Sequence, residues 1–223
     1  MKERGMIFNS EMVRAILEGR KTQTRRIMKV QPGTPEFGLR RIIESSKANE
    51  NGMYFWSQDD ACGIKARSKP FLFPYGEVGD RIWVRETWQV IHDHIDESSH
   101  VEYRTYAQSI PKEKDRYWHT VYAEHFGDES REDRGFPWRP AIHMPRWASR
   151  ITLEITDVRV ERLNSISDSD ASKEGCCIAD MESGDCLSDV FTRLWTSIYG
   201  DDSWQANPWV WVIEFKRVEG GAA

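Results

Sequence analysis

Residues able to hold an anion and a flat aromatic ring are concentrated at a few places in this chain. Arg20, Lys21, Arg25, Arg26 and Lys29 fall within one short stretch that contains no acid. Such a strip suits phosphate, whose oxygens take charge-assisted hydrogen bonds from guanidinium and ammonium groups. A solvated basic face is the alternative reading of the same residues. Further on, His143-Met-Pro-Arg146-Trp147 offers an arginine for phosphate and an indole for a base. That combination is used against single-stranded nucleic acid, although a Trp so placed also serves as core. Glu86, between Val84 and Trp88, either lines a pocket or reaches water from a strand end. His92-Asp-His94 and the adjacent Cys176-Cys177 invite a metal, yet they form no four-ligand set with zinc spacing. No metal and no other cofactor is expected.

Composition bounds what these residues can belong to. With 223 residues, 39% of them hydrophobic and ten of them Trp, the chain has apolar surface enough for one globular core. The net charge of −5 has a local origin: His92 to Gly135 carries 11 acids against 6 bases, and the other residues balance at 25 of each. A segment that acidic would repel a phosphate backbone if it lay over the basic strip. It is therefore read as a lid edge, a partner surface or a mobile loop. No run of about 18 apolar residues and no apolar leader segment is present, so neither membrane insertion nor export is expected and the location expected is cytoplasmic. The cysteines Cys62, Cys176, Cys177 and Cys186 show no C-x-x-C spacing, and reduced thiols are expected.

The elements that must position these groups follow from periodicity. Asn9 or Ser10 caps a short helix with Val13, Ile16 and Leu17 on one side and Gly19 as its stop. From Gln31 to Lys69, Pro, Gly, Ser and Asn break the pattern, which predicts an irregular excursion rather than a second core. Arg81 to Trp88 alternates as a strand with Ile82, Val84, Glu86 and Trp88 on one face. Ile151, Leu153 and Ile155 begin a long strand that continues through Val158 and Val160. Ser167-Asp-Ser-Asp170 is a capping signal for a helix that holds Ala171 and Glu174 and stops at Gly175. Val190, Phe191, Leu194, Trp195, Ile198 and Tyr199 mark an amphipathic helix closed by Gly200. Trp209 to Val218 alternates as a terminal strand apolar enough to sit inside a sheet. Without a regular alternation of strand and helix, the class is α+β with a mainly antiparallel sheet or small barrel.

One stretch is recognisable as a motif. Gly19-Arg-Lys21-Thr-Gln-Thr24-Arg-Arg26, with the spacing Gly-x-Lys-x-x-Thr-x-Arg directly after a short amphipathic helix, resembles the signature of the ASCH domain. Further likeness lies in the Gly79-Asp80 turn with its strand, in the Ile166 to Gly175 helix and in the closing Val210 to Lys216 strand. Together these stretches cover roughly half the chain, and the wording as a whole is similar to ASCH proteins of bacteriophages and prophages. The resemblance implies a PUA-like fold, a small β-barrel flanked by short helices, and a partner that is a nucleoside or single-stranded RNA. It implies one domain over residues 1–218, with insertions at about 30–75 and 89–140 and a disordered tail at 219–223.

A small bacterial member of that family hydrolyses cytidine acetylated on its exocyclic amine, and its catalytic Lys, Thr and Glu correspond to Lys21, Thr24 and Glu174 here. The chemistry is coherent. A Thr hydroxyl needs a base, and a Lys serves once burial or nearby cations lower its pKa to about 7 to 8. Glu174 then orients the Lys or passes a proton to the leaving amine, while backbone amides or Arg26 steady the oxyanion. Arg25, Arg26, Glu86, Arg146 and Trp147 are the expected substrate contacts. A geometric condition applies: within one regular strand Lys21 and Thr24 would point to opposite faces, so Lys21 must lie in the turn after Gly19. The rivals are a non-catalytic RNA-binding module and a ribonuclease in which Lys21 stabilises phosphorane-like charge.

Overall fold

The computed structural model describes residues 1–113 and 117–218; the expected disordered tail at 219–223 lies outside the described residues. The chain runs through β1 (Glu3–Ile7), α1 (Ser10–Leu17), β2 (Gln23–Ile27), β3 (Gly38–Arg41), β4 (Tyr54–Asp60), β5 (Gly63–Arg67) and β6 (Arg81–Arg85). It continues with β7 (Trp88–Ile95), β8 (Val101–Tyr106), β9 (His119–Tyr122), α2 (Ala123–Phe126), α3 (Arg131–Arg134) and β10 (Thr152–Arg162). The last elements are α4 (Asp168–Lys173), α5 (Leu187–Tyr199), α6 (Asp201–Gln205) and β11 (Trp209–Arg217). This is an α+β architecture with mostly antiparallel sheets and short helices.

The main sheet has the strand order β1-β6-β10-β11-β2, antiparallel except for the parallel pair β1 and β6. It is open: β1 and β2 are its edges, and no ladder between them closes a barrel among the described residues. A side chain spans the gap instead, with an Arg26 Nη2 donating to the Ile7 carbonyl at 2.7 Å. β11 is an interior strand covered on both faces, as its double alternation requires. Trp211, Ile213 and Phe215 join Ile82, Val84 and Leu153 in the larger core, while Val210 and Val212 face Phe191 and Trp195 of α5. Burying such a side chain contributes about 1.5 to 3 kcal/mol, so the two faces of β11 anchor both layers. In β10 the ladder slips between Ile155 and Asp157. That bulge returns Val158 and Val160 to the core side, where Ile155 already lies.

Two expectations need correcting. The 31–69 stretch is not irregular, because β3, β4 and β5 form a three-stranded antiparallel sheet. Its alternation is hidden for a physical reason: Phe55, Trp56 and Ser57 of β4 are all buried, whereas every residue of β5 is exposed. Trp56 belongs to the larger core and donates its indole N–H to the Val30 carbonyl at 2.9 Å, so this sheet extends the main core. The strand expected over Arg81 to Trp88 is two strands. Alternate burial persists through Glu86 to Trp88, but the partner changes: the Val84 N–H donates to the Ile151 carbonyl, and Trp88 pairs with Tyr122 in the sheet β8-β7-β9. That second small sheet occupies the expected 89–140 insertion.

Candidate functional site

α1 begins at Asn9, whose side chain caps the Met12 N–H at 2.8 Å, and ends before Gly19, which sits at φ +77. The chain then turns before β2 starts at Gln23, and Lys21 lies in that turn. Two backbone bonds fix it, from the Lys21 N–H to the Ala15 carbonyl and from the Thr22 N–H to the Lys173 carbonyl, each 2.9 Å. The turn is thereby stitched to both α1 and α4. The Ser167 side chain caps α4 through the Asp170 N–H, and Glu174 occupies its C-cap. Gly175 follows at φ +99, where a Cβ would stand 2.9 Å from the Ala15 Cβ and 3.2 Å from the Lys21 Cβ. Glycine is what lets the end of α4 press against α1 and the Lys21 turn.

Lys21 and Glu174 meet there, sealed from water. The ammonium Nζ donates to Glu174 Oε2 and to the Glu174 carbonyl, each at 2.7 Å, with side-chain exposures of 0% and 2%. The second bond satisfies a carbonyl that the end of α4 leaves without a helical partner. Burial pushes the Lys21 pKa down, against the upward pull of Glu174. The other carboxylate oxygen, Oε1, accepts from Arg25 at 3.2 Å. Arg25 is also buried and contacts Glu161 at 3.0 Å and Asp170 at 3.4 Å. Arg159 links Glu161, Asp170 and Glu214, so three cations, Lys21, Arg25 and Arg159, face four carboxylates, with Lys173 also reaching Glu214. Near-neutrality of this kind is what makes buried charge tolerable.

Thr24 and Arg26 lie opposite Ile213 and Trp211, and Arg25 lies opposite Val212, so the first two share one face of β2 and Arg25 has the other. Thr24 is buried at the free edge of the sheet. It lines a small cavity of about 10 Å³ together with Glu174, Arg26, Met12 and Tyr199. Its lining shares Met12, Glu174 and Leu194 with one wider hollow and Met12, Arg26, Ile198 and Tyr199 with another. One, of about 450 Å³, has Glu174 in its wall beside Arg14, Arg20, Cys177 and Arg193. The other, of about 420 Å³, is lined by Arg26, Tyr75, Arg85 and Tyr199. Lys21 bonds the Glu174 carboxylate, and Thr24 and Glu174 share the wall of the small cavity, with no hydrogen bond between Lys21 and Thr24 among the described residues.

The structure brings together Lys21, Thr24, Arg25, Arg26 and Glu174, and it places the other expected contacts elsewhere. Glu86 accepts a two-pronged bond from Arg150 at 3.0 and 2.9 Å, and burial pushes its pKa up against that pull. Arg150 also meets Glu124 and lies 4.1 Å from the Tyr122 ring centroid. Arg146 pairs with Glu3 at 2.9 Å, and Trp147 packs edge-on against Trp88 at 5.9 Å in a small separate core. None of the three lines the hollows between α1 and α5. The basic strip is likewise not a single face: Lys21 and Arg25 are buried, while Arg20 bonds Glu18 and the Gly175 carbonyl. No group of three or more His, Cys, Asp or Glu is arranged to hold a metal among the described residues, and no helix there is long and apolar enough to cross a membrane.

Arg159 and Glu161 are further charged partners of the site, beyond the residues the sequence pointed to. Alternation along β10 carries the signal for them, because it puts both on the face opposite Val158 and Val160. Tyr75, Arg85 and Tyr199 carried no local signal, because they come from three distant segments. Family models, curated proteins and solved structures offer no match to the chain.

Proposed function

We propose that the protein is an ASCH-type, PUA-like domain that binds a nucleoside or RNA nucleotide between α1 and α5 and hydrolyses an acyl amide on the exocyclic amine of cytosine. The observation that carries the reading is the buried Lys21 ammonium, held at 2.7 Å by Glu174 beside the small cavity that Thr24 lines. For the fold, the support is the five-stranded open sheet whose edges are tied by Arg26.

In the proposed step, Thr24 Oγ1 attacks the amide carbonyl carbon while Lys21, in its neutral form, takes the hydroxyl proton. Burial favours that neutral form. The C–N bond then breaks, and the proton passes by way of Lys21 and Glu174 to the departing cytosine amine. The acyl group is left as an ester on Thr24. Water, deprotonated by the same Lys21, cleaves the ester to free carboxylate and restores the hydroxyl.

The test is release of acetate from acetylated cytidine by purified protein, with Lys21→Ala and Thr24→Ala as controls. Loss of a positioned base is expected to cut turnover by about 10²- to 10⁴-fold. Absence of turnover in the wild type, or equal turnover in all three proteins, sinks the reading.

A further inference from the structure

The two wider hollows, each sharing wall residues with the small cavity at Thr24, differ in electrostatics. In the hollow that contains Glu174, Arg14, Arg20 and Arg193 each pair with a carboxylate, from Glu124, Glu18 and Asp185 respectively. Glu11 and Asp180 add further acid to that wall. The opposite hollow, of about 420 Å³, has Arg26 and Arg85 in its lining and no acidic side chain. Neither arginine forms an ion pair among the described residues. Arg26 donates to the Ile7 carbonyl at 2.7 Å and to the Tyr199 hydroxyl at 3.5 Å, and it lies 5.3 Å from the Phe8 ring centroid. Arg85 donates to the Ile142 carbonyl and lies 5.3 Å from the Trp83 ring centroid, yet its buried Nε has no partner among the described residues. Gly5 makes room for this arrangement, since a Cβ there would stand 2.7 Å from the Trp83 ring and 2.8 Å from Arg85 Cδ.

Two guanidinium groups without counter-charge, in a concave site flanked by tyrosines, call for an anion with several acceptor oxygens. A hollow of this size fits within the range of about 300 to 1,000 Å³ common for small-molecule sites. Tyr75 and Tyr199 line the hollow beside the charge, and Arg26 and Tyr199 also line the small cavity that has Thr24 in its wall.

We infer that the hollow lined by Arg26, Arg85, Tyr75 and Tyr199 is a phosphate subsite, so that the ligand is a nucleoside carrying a phosphate and not a bare nucleoside. The phosphate half of this statement stands on the charges above; the nucleoside half rests on the function proposed in the preceding subsection. The phosphate chemistry is shared by a free nucleotide and by the backbone of an RNA strand.

Calorimetric titration of the full chain with cytidine, cytidine 5′-monophosphate and a cytidine trinucleotide without terminal phosphates tests it. The monophosphate or the trinucleotide should bind about ten-fold or more tightly than cytidine, with that preference weakening as salt is raised. Preference for the monophosphate alone assigns a free nucleotide, whereas preference for the trinucleotide assigns an internal RNA phosphate. In Arg85→Gln the phosphate preference should fall to about two-fold or less. Equal affinity of the wild type for all three ligands, or no binding of any of them, overturns the subsite whatever the variant does. Hydrolysis is scored separately with acetylated cytidine and its 5′-monophosphate. Phosphate preference without turnover of either removes the amidase and leaves the subsite; turnover of both with equal kcat/KM and equal affinity removes the subsite and leaves the amidase.

Discussion

Replacing Lys21 by Met removes one charge from a pair whose side chains are 0% and 2% exposed. Met is close to Lys in length and volume, so the change tests charge more than packing. After it, the Glu174 carboxylate keeps only the Arg25 contact at 3.2 Å, and the Glu174 carbonyl loses the donor that stood at 2.7 Å. Breaking a buried pair from one side costs about 3 to 5 kcal/mol, and the surviving arginine places the expectation near about 3 kcal/mol. At a chain length of this order that corresponds to a fall in Tm of about 6 to 12 °C. Urea denaturation at neutral pH, followed by Trp fluorescence, measures it. Glu174→Gln in the Lys21→Met background should recover at least about 1 kcal/mol relative to additive losses, because the second change removes the orphaned carboxylate. A Lys21→Met loss below about 1 kcal/mol, or an additive double variant, would show that the pair behaves like an exposed surface bridge and would refute the sealed geometry.

Further outcomes follow from the same cluster. Gly175→Ala forces a Cβ to 2.9 Å from Ala15 at φ +99, and it should cost about 2 to 3 kcal/mol while also reducing acetylcytidine turnover; a variant with wild-type Tm and wild-type turnover contradicts the packing described. Burial lowers the Lys21 pKa from its ordinary 10.5, so between that lowered value and the unfolded one the unfolded chain binds more protons. Stability therefore rises with pH across that alkaline window. The wild-type excess over Lys21→Met should grow as the pH rises toward the ordinary lysine value of 10.5, and a flat or falling difference in urea midpoints speaks against the shift. Burial also pushes the Cys176 thiol up to about 11, whereas Cys62 is exposed. Native alkylation read by peptide mass spectrometry should label Cys62 readily and spare Cys176, because the thiolate is the reacting form; modification of both at equal rates counts against the burial of Cys176.

Local signals were legible wherever one element alone carried them. The Asn9 and Ser167 caps, the stops at Gly19 and Gly175, and both alternating faces of β11 stand in the structure where periodicity puts them. The small sheet of β3, β4 and β5 was not legible, because pairing partners and a covering core erase alternation in β4 while β5 is exposed throughout. The strand through Glu86 was legible as alternation but not as two ladders, since the choice of partner at Trp88 depends on Tyr122, far along the chain. Arg25 illustrates the same limit within the site. Its sequence neighbours suggest a ligand contact, whereas its surroundings are Glu161, Asp170 and Glu174.

By itself the order of residues determined which segments become strands and helices and which chemical groups stand at their ends, because caps, turns and side-chain alternation act over a few positions. It put Lys21 in a turn and Glu174 at the end of a helix. Only tertiary structure decided that these two meet, that Arg25 is consumed by carboxylates, and that Arg26 and Arg85 are left without them. Charge balance in a folded chain is set by neighbours in space, and those neighbours arrive from opposite ends of the polypeptide.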